Sequence, residues 1–168
     1  TVGKAHGNGD AGLNIGRTKM EPIAHFLDDV GQTPFFLWYA PFLPHEPHDA
    51  PEKFRKPYLN NPACPEHFVD YYASCSQFDA TVGQLVNMIE QRGLAENTLF
   101  VFVIDNGWEP LPKKNPRTGH YPVNTLSKRA PFDLGLRTPI LFRWDGKIEP
   151  ATHEALCNSV DLMPTILN

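Results

Sequence analysis

The hydrophobic pattern of the chain alternates between helical and strand periods. Apolar side chains three and four positions apart predict amphipathic helices over residues 20–30, 65–92 and 159–167. Three short and nearly continuous apolar runs are typical of strands buried on both faces: residues 34–40, 98–104 and 139–144. Strands that alternate with helices along the chain predict an α/β fold built around a mostly parallel central sheet.

Two long loops interrupt this pattern, and each follows the carboxyl end of a predicted strand. Residues 41–65 and 105–135 hold most of the 17 prolines of the chain. The glycine-rich residues 1–16 predict a further loop. In open α/β sheets, binding sites lie beyond the carboxyl ends of the strands, so we expect the candidate chemistry in the two proline-rich loops.

Composition and charge exclude several classes of protein. The 168 residues, 41% of them hydrophobic and 20% charged, are typical of a single globular domain. A formal net charge of −4 argues against a nucleic-acid binder that works by neutralising phosphates. No apolar run approaches the roughly 18 residues needed to cross a bilayer, and the first 16 residues lack the apolar core of a signal peptide. These properties leave the oligomeric state open.

The three cysteines, Cys64, Cys75 and Cys157, form neither a CxxC pair nor a regular framework. Their spacing argues against a structural zinc ribbon and against a disulfide-stapled miniature domain. The sequence does not determine the redox state of the thiols.

The first long loop presents two histidines between prolines, in the run Pro44-His45-Glu46-Pro47-His48. Because proline fixes φ, the chain holds these imidazoles with little freedom, and each can donate a proton or contact an anion. A proline-rich surface loop with incidental histidines is the alternative interpretation of the same pattern.

The second long loop begins with Asp105-Asn106-Gly107, whose carboxylate and amide oxygens suit calcium or magnesium. Asn-Gly is also a common turn dipeptide, so a plain turn is the alternative interpretation. Further along the loop, Lys128 and Arg129 offer a point charge and a forked cation to an anionic group. A solvated basic loop is the alternative there.

In their order along the chain, these features resemble the sulfatase family of the alkaline-phosphatase-like superfamily. Six segments carry the resemblance, within roughly residues 12–168: residues 34–47, 79–85, 93–99, 105–107, 128–139 and 159–167. The resemblance implies an α/β sandwich core and an enzyme that hydrolyses sulfate esters, either small molecules or sulfated glycans. It also implies a parent protein of a commonly exported kind, in the periplasm, the lysosome or outside the cell.

The resemblance implies roles for particular residues. His45 would contact the sulfate ester and assist the leaving oxygen as a general acid. His48 is the weaker candidate, because His45 holds the His-x-Pro position of the family. Asp105 and Asn106 would be two ligands of a calcium ion. Lys128 would bind a sulfate oxygen and neutralise charge in the transition state.

Two elements of the family are missing from the sequence. The family's nucleophile is a hydrated formylglycine made from the first residue of a Cys/Ser-x-Pro-x-Arg motif, and no cysteine or serine of the chain lies in such a motif. The family's early Asp-Asp metal pair is missing as well. Gly3-Lys4-Ala5-His6 is similar to the family's Gly-Lys-x-His element, but relatives place a longer segment between that element and the strand predicted at residue 34.

We therefore interpret residues 1–168 as a single partial catalytic domain whose formylglycine is expected in an upstream segment. The isolated chain is expected to have no, or negligible, sulfatase activity. One rival interpretation is a non-catalytic module that binds sulfated glycans or ions. Another is a phosphoesterase or phosphonate hydrolase of the same superfamily, with a Ser or Thr nucleophile and zinc. The Pro-His-x-Pro loop and the Leu-Arg-Thr-Pro element at residues 136–139 favour the sulfatase.

Overall fold

The computed structural model of the protein describes residues 14–107, 127–128 and 130–168. The chain divides into two compact units, Thr1–Glu96 and Asn97–Asn168. Residues 1–13 of the loop predicted over residues 1–16 lie outside the described residues. In the part of the chain that is described, no helix is long and apolar enough to cross a membrane.

Helices form the frame of the first unit. In chain order they are α1 (Glu21–Val30), the single-turn α2 (Glu52–Arg55), a 3-10 turn (Glu66–Phe68) and the long α3 (Val69–Glu90). A second 3-10 turn, Ala95–Asn97, spans the division between the units. The helices predicted over residues 20–30 and 65–92 are confirmed.

The ends of α1 follow from its sequence. Pro22 lies in the first turn, where its missing N–H costs no hydrogen bond. Gly31 ends the helix with a φ of +54°, a conformation that favours glycine, and its N–H donates to the carbonyl oxygen of Leu27. The apolar face of α1 buries Ile23 and Leu27, and Leu27 is completely inaccessible to solvent.

The buried face of α3 is more polar than its apolar periodicity predicts. Its buried positions include the side chains of Ser74, Gln77 and Thr81. Gln77 Nε2 donates to the carbonyl oxygen of Arg17 at 2.8 Å, and Thr81 Oγ1 accepts from the Tyr39 hydroxyl at 2.8 Å. These bonds replace those to water for the Gln77 amide N–H and the Thr81 hydroxyl. The Gln77 amide oxygen, by contrast, is buried without a hydrogen-bond partner among the described residues, so its burial carries a desolvation cost.

Residues 34–40 form neither a helix nor a strand with the other described residues. Phe35 packs edge-on against a phenylalanine of α1, with ring centroids 6.0 Å apart, and Tyr39 reaches α3 through the bond to Thr81. Phe36 and Trp38 point the other way and are 85% and 81% exposed. The prediction of a strand buried on both faces is therefore wrong within the described residues, because nothing there covers the second face.

The second unit contains a two-stranded antiparallel sheet. Strand β1 (Phe100–Val103) pairs with β2 (Ile140–Arg143) in a register that places Phe100 opposite Arg143. The two strands predicted here are confirmed. Together with the helices they give a mixed α and β chain, but this antiparallel pair is the only sheet in the described residues. The predicted parallel sheet is not found there, because an apolar run does not specify the direction of its partner.

Short helices complete the second unit. Helix α4 (Asp133–Leu136) precedes β2, and α5 (Leu162–Leu167) follows a 3-10 turn (Ser159–Asp161). Asn158 and Asp161 form a reciprocal capping box at that turn, since each side chain accepts from a backbone N–H of the other end. The helix predicted over residues 159–167 is confirmed.

All three thiols are free, and their burial predicts an order of reactivity. Cys157 is exposed, Cys75 is half-buried and Cys64 is buried. Burial raises the pKa of the Cys75 thiol, so less of the reactive thiolate is present at neutral pH. We expect iodoacetamide to alkylate Cys157 well before Cys75, as measured by mass spectrometry of timed digests. Equal labelling rates of the two thiols in the native protein would contradict this order.

Tyr71 on α3 predicts a loss of stability in alkali. Burial, with a smaller contribution from Cys75, raises the pKa of its phenol from 10.0 to about 12. The folded state therefore holds this proton more tightly than the unfolded state does, and the resulting stabilisation is complete below pH 10. It is lost as the pH rises from about 10 to about 12. Urea unfolding across this range is the measurement, and Tyr71→Phe should flatten the decline; an unchanged decline in that variant would exclude Tyr71 as a cause.

Candidate functional site

The backbone of the histidine loop, residues 41–50, is anchored at both ends by buried residues. Leu43 is 5% exposed and Ala50 is 6% exposed, whereas His45 between them is exposed. The peptide bonds before Pro44 and Pro47 are both cis. The buried side chains of Leu43 and Ala50 thus anchor the loop on either side of the exposed His45.

The His45 imidazole has a defined environment. Its ring lies 4.7 Å from the Phe42 ring, centroid to centroid, and its backbone N–H donates to the carbonyl oxygen of Phe42 at 2.9 Å. Ring atom Nδ1 lies 3.1 Å from the carbonyl oxygen of Glu46. With the proton on Nδ1 this contact is a hydrogen bond, and Nε2 is then left to face a ligand.

His48 has a different environment from His45. It is half-buried, and its ring packs edge-on against Tyr71 of α3 at a centroid distance of 5.5 Å. This contact gives His48 a packing role in the first unit. Of the other candidates in the sequence, Lys4, His6 and Arg129 lie outside the described residues.

Arg17 contacts the histidine loop, and sequence reasoning did not identify it. Its guanidinium donates through Nη1 to the carbonyl oxygen of Pro47 at 2.8 Å and through Nη2 to that of His45 at 3.3 Å. It also forms an ion pair with Asp49. These partners lie 28 to 32 residues away along the chain. No local motif could have indicated such distant contacts.

In the second unit, the turn after β1 presents the predicted metal ligands. Asp105 is exposed and Asn106 is half-buried. One carboxylate oxygen of Asp105 accepts from the backbone N–H of Asn106 at 2.9 Å, and Asn106 Nδ2 donates to the carbonyl oxygen of Gly107 at 2.7 Å. Among the described residues, no hydrogen bond occupies the other Asp105 oxygen or the amide oxygen of Asn106, so both can face a cation.

These two oxygens fit calcium as part of its shell. Calcium takes about six to eight oxygen ligands, so most of the shell must come from other groups or from water. Among residues 14–107, 127–128 and 130–168, no three His, Cys, Asp or Glu side chains are grouped so that they could hold a metal ion. Asp105 and Asn106 could therefore supply only part of the shell of such an ion.

A backbone hydrogen bond joins this turn to the loop that carries Lys128. The N–H of Gly107 donates to the carbonyl oxygen of Gly135 at 2.8 Å. A Cβ atom at Gly107 would overlap the carbonyl of Leu134, so these two backbone segments approach each other at a distance that only glycine permits. The structure thus brings the predicted metal turn and the loop of the predicted substrate lysine together within the second unit.

The loop itself is compact around Lys128. Ser127 is fully buried and its carbonyl oxygen accepts from the N–H of Ala130 at 2.9 Å, while Lys128 between them is half-buried. A Cβ atom at Gly135 would overlap the carbonyl oxygens of both Ser127 and Ala130. Backbone packing on both sides of Lys128 therefore fixes where its Cα atom lies in space.

Comparison with known proteins gives a consistent result. The model of the sulfatase family matches residues 16–168. Human arylsulfatase A is 35% identical over 133 residues, which cover 79% of this chain and 24% of the relative. The uncharacterized sulfatase YdeN of Escherichia coli is 29% identical over 140 residues, covering 80% of this chain and 23% of that protein. An ulvan-active sulfatase of Formosa agariphila is 30% identical over 151 residues, covering 80% and 28%.

Structural comparison agrees with the sequences. The crystal structure of Ps i-CgsB has a TM-score of 0.60 with this chain at 26% identity, covering 75% of this chain and 27% of that one. The chain spans about a quarter of the length of the curated relatives it matches. Because the family match extends over residues 16–168, the chain belongs to the sulfatase family.

Proposed function

We propose that the chain is the C-terminal part of a sulfatase catalytic domain and that the complete protein hydrolyses sulfate esters. The observation that carries the proposal is the hydrogen bond from Gly107 to Gly135, because it joins the turn of Asp105 and Asn106 to the loop of Lys128. The ulvan-active sulfatase and the complex of Ps i-CgsB with a neocarrahexaose support a sulfated glycan as the substrate class. An exported location of the complete protein is part of the same proposal.

Each proposed residue has one chemical task. As the imidazolium, with a proton on each ring nitrogen, His45 transfers the Nε2 proton to the leaving oxygen of the ester as a general acid and is left as the neutral imidazole whose Nδ1–H donates to Glu46. Lys128 places a positive charge against a sulfate oxygen and stabilises the charge of the transition state. Asp105 and Asn106 hold part of the shell of a calcium ion, which when bound neutralises negative charge on the ester. The nucleophile, formylglycine, belongs to polypeptide outside this chain.

The two units belong to one partial domain in this proposal. Among the described residues, the backbone of residues 34–40 pairs with no strand and the apolar side chains of Phe36 and Trp38 are exposed, as in a strand that pairs with polypeptide outside this chain. We propose that further strands of a mostly parallel sheet come from the rest of the catalytic domain.

Binding of 4-nitrophenyl sulfate to this chain tests the proposed contacts. In a ¹H–¹⁵N titration with calcium present, we expect the largest ligand-induced shifts at His45, Lys128 and the Asp105 turn. His45→Ala and Lys128→Ala should each weaken binding about tenfold, the usual scale of a hydrogen bond to a charged group. His25→Ala and Lys147→Ala, which remove exposed residues of the same types, should leave affinity unchanged. Equal losses in the controls, or no shifts at the named residues, would overturn the assignment.

Turnover is expected to be absent in the same experiment. Because the nucleophile motif is not in the chain, no 4-nitrophenolate should be released by this polypeptide alone. Robust release would overturn the placement of the nucleophile outside it.

The rival functions give different results. Binding without hydrolysis in a longer protein that carries the formylglycine motif would favour a non-catalytic module. Preferential hydrolysis of 4-nitrophenyl phosphate with zinc would favour a phosphoesterase.

A further inference from the structure

We propose that Arg17 is a positioning residue for His45, an inference that rests on the proposed role of His45 in the sulfatase reaction. The guanidinium binds the carbonyl oxygens of His45 and Pro47 and pairs with Asp49. These three partners lie within the five residues 45–49. Arg17 therefore holds the backbone on both sides of Glu46.

The contacts of Arg17 extend to the orientation of the imidazole. The two carbonyl groups that it binds flank Glu46, and the carbonyl oxygen of Glu46 lies 3.1 Å from His45 Nδ1. If the backbone at His45 and Pro47 is held, the peptide between them is held too. The Nδ1 contact then sets the ring orientation and directs Nε2 toward the ligand.

The base of Arg17 is itself anchored in the core. Its carbonyl oxygen accepts from Gln77 Nε2 at 2.8 Å, and Gln77 on α3 is 3% exposed. The turn that carries it is closed by a hydrogen bond from the N–H of Gly16 to the carbonyl oxygen of Lys19 at 2.9 Å. The Arg17 side chain is 12% exposed. A chain of contacts thus runs from the long helix through Arg17 to the histidine loop.

The chemistry of these contacts selects arginine. A guanidinium offers several N–H donors in a rigid fork and can serve two carbonyl groups and a carboxylate together. An ammonium group is a point charge on a flexible stem, so lysine could retain the pairing with Asp49 without holding both carbonyl groups. Asp49→Asn removes the charge pair but leaves the two carbonyl contacts. It should therefore perturb the loop less than Arg17→Ala does.

Arg92 supplies the matched control. It binds Asp28 through Nε at 3.0 Å and Nη2 at 2.6 Å, and its Nη1 donates to the carbonyl oxygen of Met88 at 2.8 Å. It lies in the same unit, pairs with one carboxylate and binds the backbone, but it makes these contacts away from the histidine loop. Arg92→Ala therefore reports the general cost of losing such an arginine.

The experiment compares Arg17→Ala, Arg17→Lys and Arg92→Ala in the 168-residue chain. Hydrogen exchange of the His45 backbone amide, which donates to the carbonyl oxygen of Phe42, is measured first, and 4-nitrophenyl sulfate affinity and the His45 imidazole ¹⁵N shifts are measured next. We expect Arg17→Ala to accelerate exchange of this amide at least tenfold, to move the imidazole signals and to weaken binding about tenfold. Arg17→Lys should recover only part of these losses, and Arg92→Ala should produce none of them in the loop.

The readouts separate the two proposals. Wild-type exchange rates and imidazole shifts in Arg17→Ala would overturn the positioning role. So would changes equal to those of Arg92→Ala, because they would show a general loss of stability. If the wild-type His45 signals do not respond to 4-nitrophenyl sulfate, the proposed function fails, and the exchange rates still decide whether Arg17 holds the loop.

Discussion

Replacing Gly107 with alanine is expected to destabilise the second unit by about 1–3 kcal/mol or more and to separate the metal turn from the Lys128 loop. The added Cβ atom would overlap the carbonyl of Leu134, which is backbone and cannot move aside as a flexible side chain does. The N–H of Gly107 would then lose its bond to Gly135. Urea unfolding measures the first effect, and shifts of the Ser127 and Lys128 amides measure the second.

Gly83 provides a control of the opposite sign. It lies within α3, and a Cβ atom there would meet nothing within 4 Å. Because alanine favours the helix over glycine, Gly83→Ala should stabilise the protein by up to about 1 kcal/mol. Gly135→Ala should resemble Gly107→Ala, since its Cβ atom would also overlap backbone oxygens. Similar stability of Gly107→Ala and Gly83→Ala would show that the glycine contact does not hold the two loops together.

The helices could be predicted from the sequence because their signals are local. The apolar period of three to four residues, together with Pro22 and Gly31 near the ends of α1, is enough to predict the extent of this helix. The packing of α3 could not be predicted in the same way. Its core includes Gln77 and Thr81, whose amide N–H and hydroxyl form hydrogen bonds with partners 60 and 42 residues away. Hydrophobicity alone gives no indication of such partners.

For the strands, the local sequence predicts their positions but not their pairing. Apolar runs correctly indicated β1 and β2, but a run contains no information about the direction of its neighbour, and the two pair antiparallel. The alternation along residues 34–40 appears only in the structure. Phe35 and Tyr39 contact helices while Phe36 and Trp38 are exposed, although the sequence there is almost uniformly apolar.

The candidate site also has a part that local sequence predicts and a part that depends on distant contacts. Asp105 and Asn106 are adjacent, so their shared turn could be predicted from the sequence. The approach of that turn to the Lys128 loop depends on a contact between two glycine backbones that are 28 residues apart. No side-chain pattern in the sequence indicates this contact. Arg17 is a similar case, since its role exists only through carbonyl groups of a distant loop.

Polar replacement of Phe36 and Trp38 together is expected to leave the fold stable and to abolish association through residues 34–40. Both rings are more than four-fifths exposed, so the double variant Phe36→Ser, Trp38→Ser should change the free energy of unfolding by about 0.5 kcal/mol or less per site. An exposed apolar strand with an unpaired backbone is a template for pairing with other chains. In the variant, the sedimentation coefficient should therefore rise less with protein concentration than in the wild type, and binding of the dye ANS should decrease.

Phe35→Ser is the matched control, because it makes the same kind of change at the next residue but on the opposite face. Phe35 packs against the Phe26 ring of α1, so its loss should cost roughly 1–3 kcal/mol, less than a fully buried phenylalanine would. Dye binding should rise in this variant as the first unit loosens. If the double variant were as unstable as Phe35→Ser, the outer face would be part of the core; if it associated like the wild type, another surface would be responsible. A stable, non-associating double variant would show that residues 34–40 present a strand face that the first unit itself does not need.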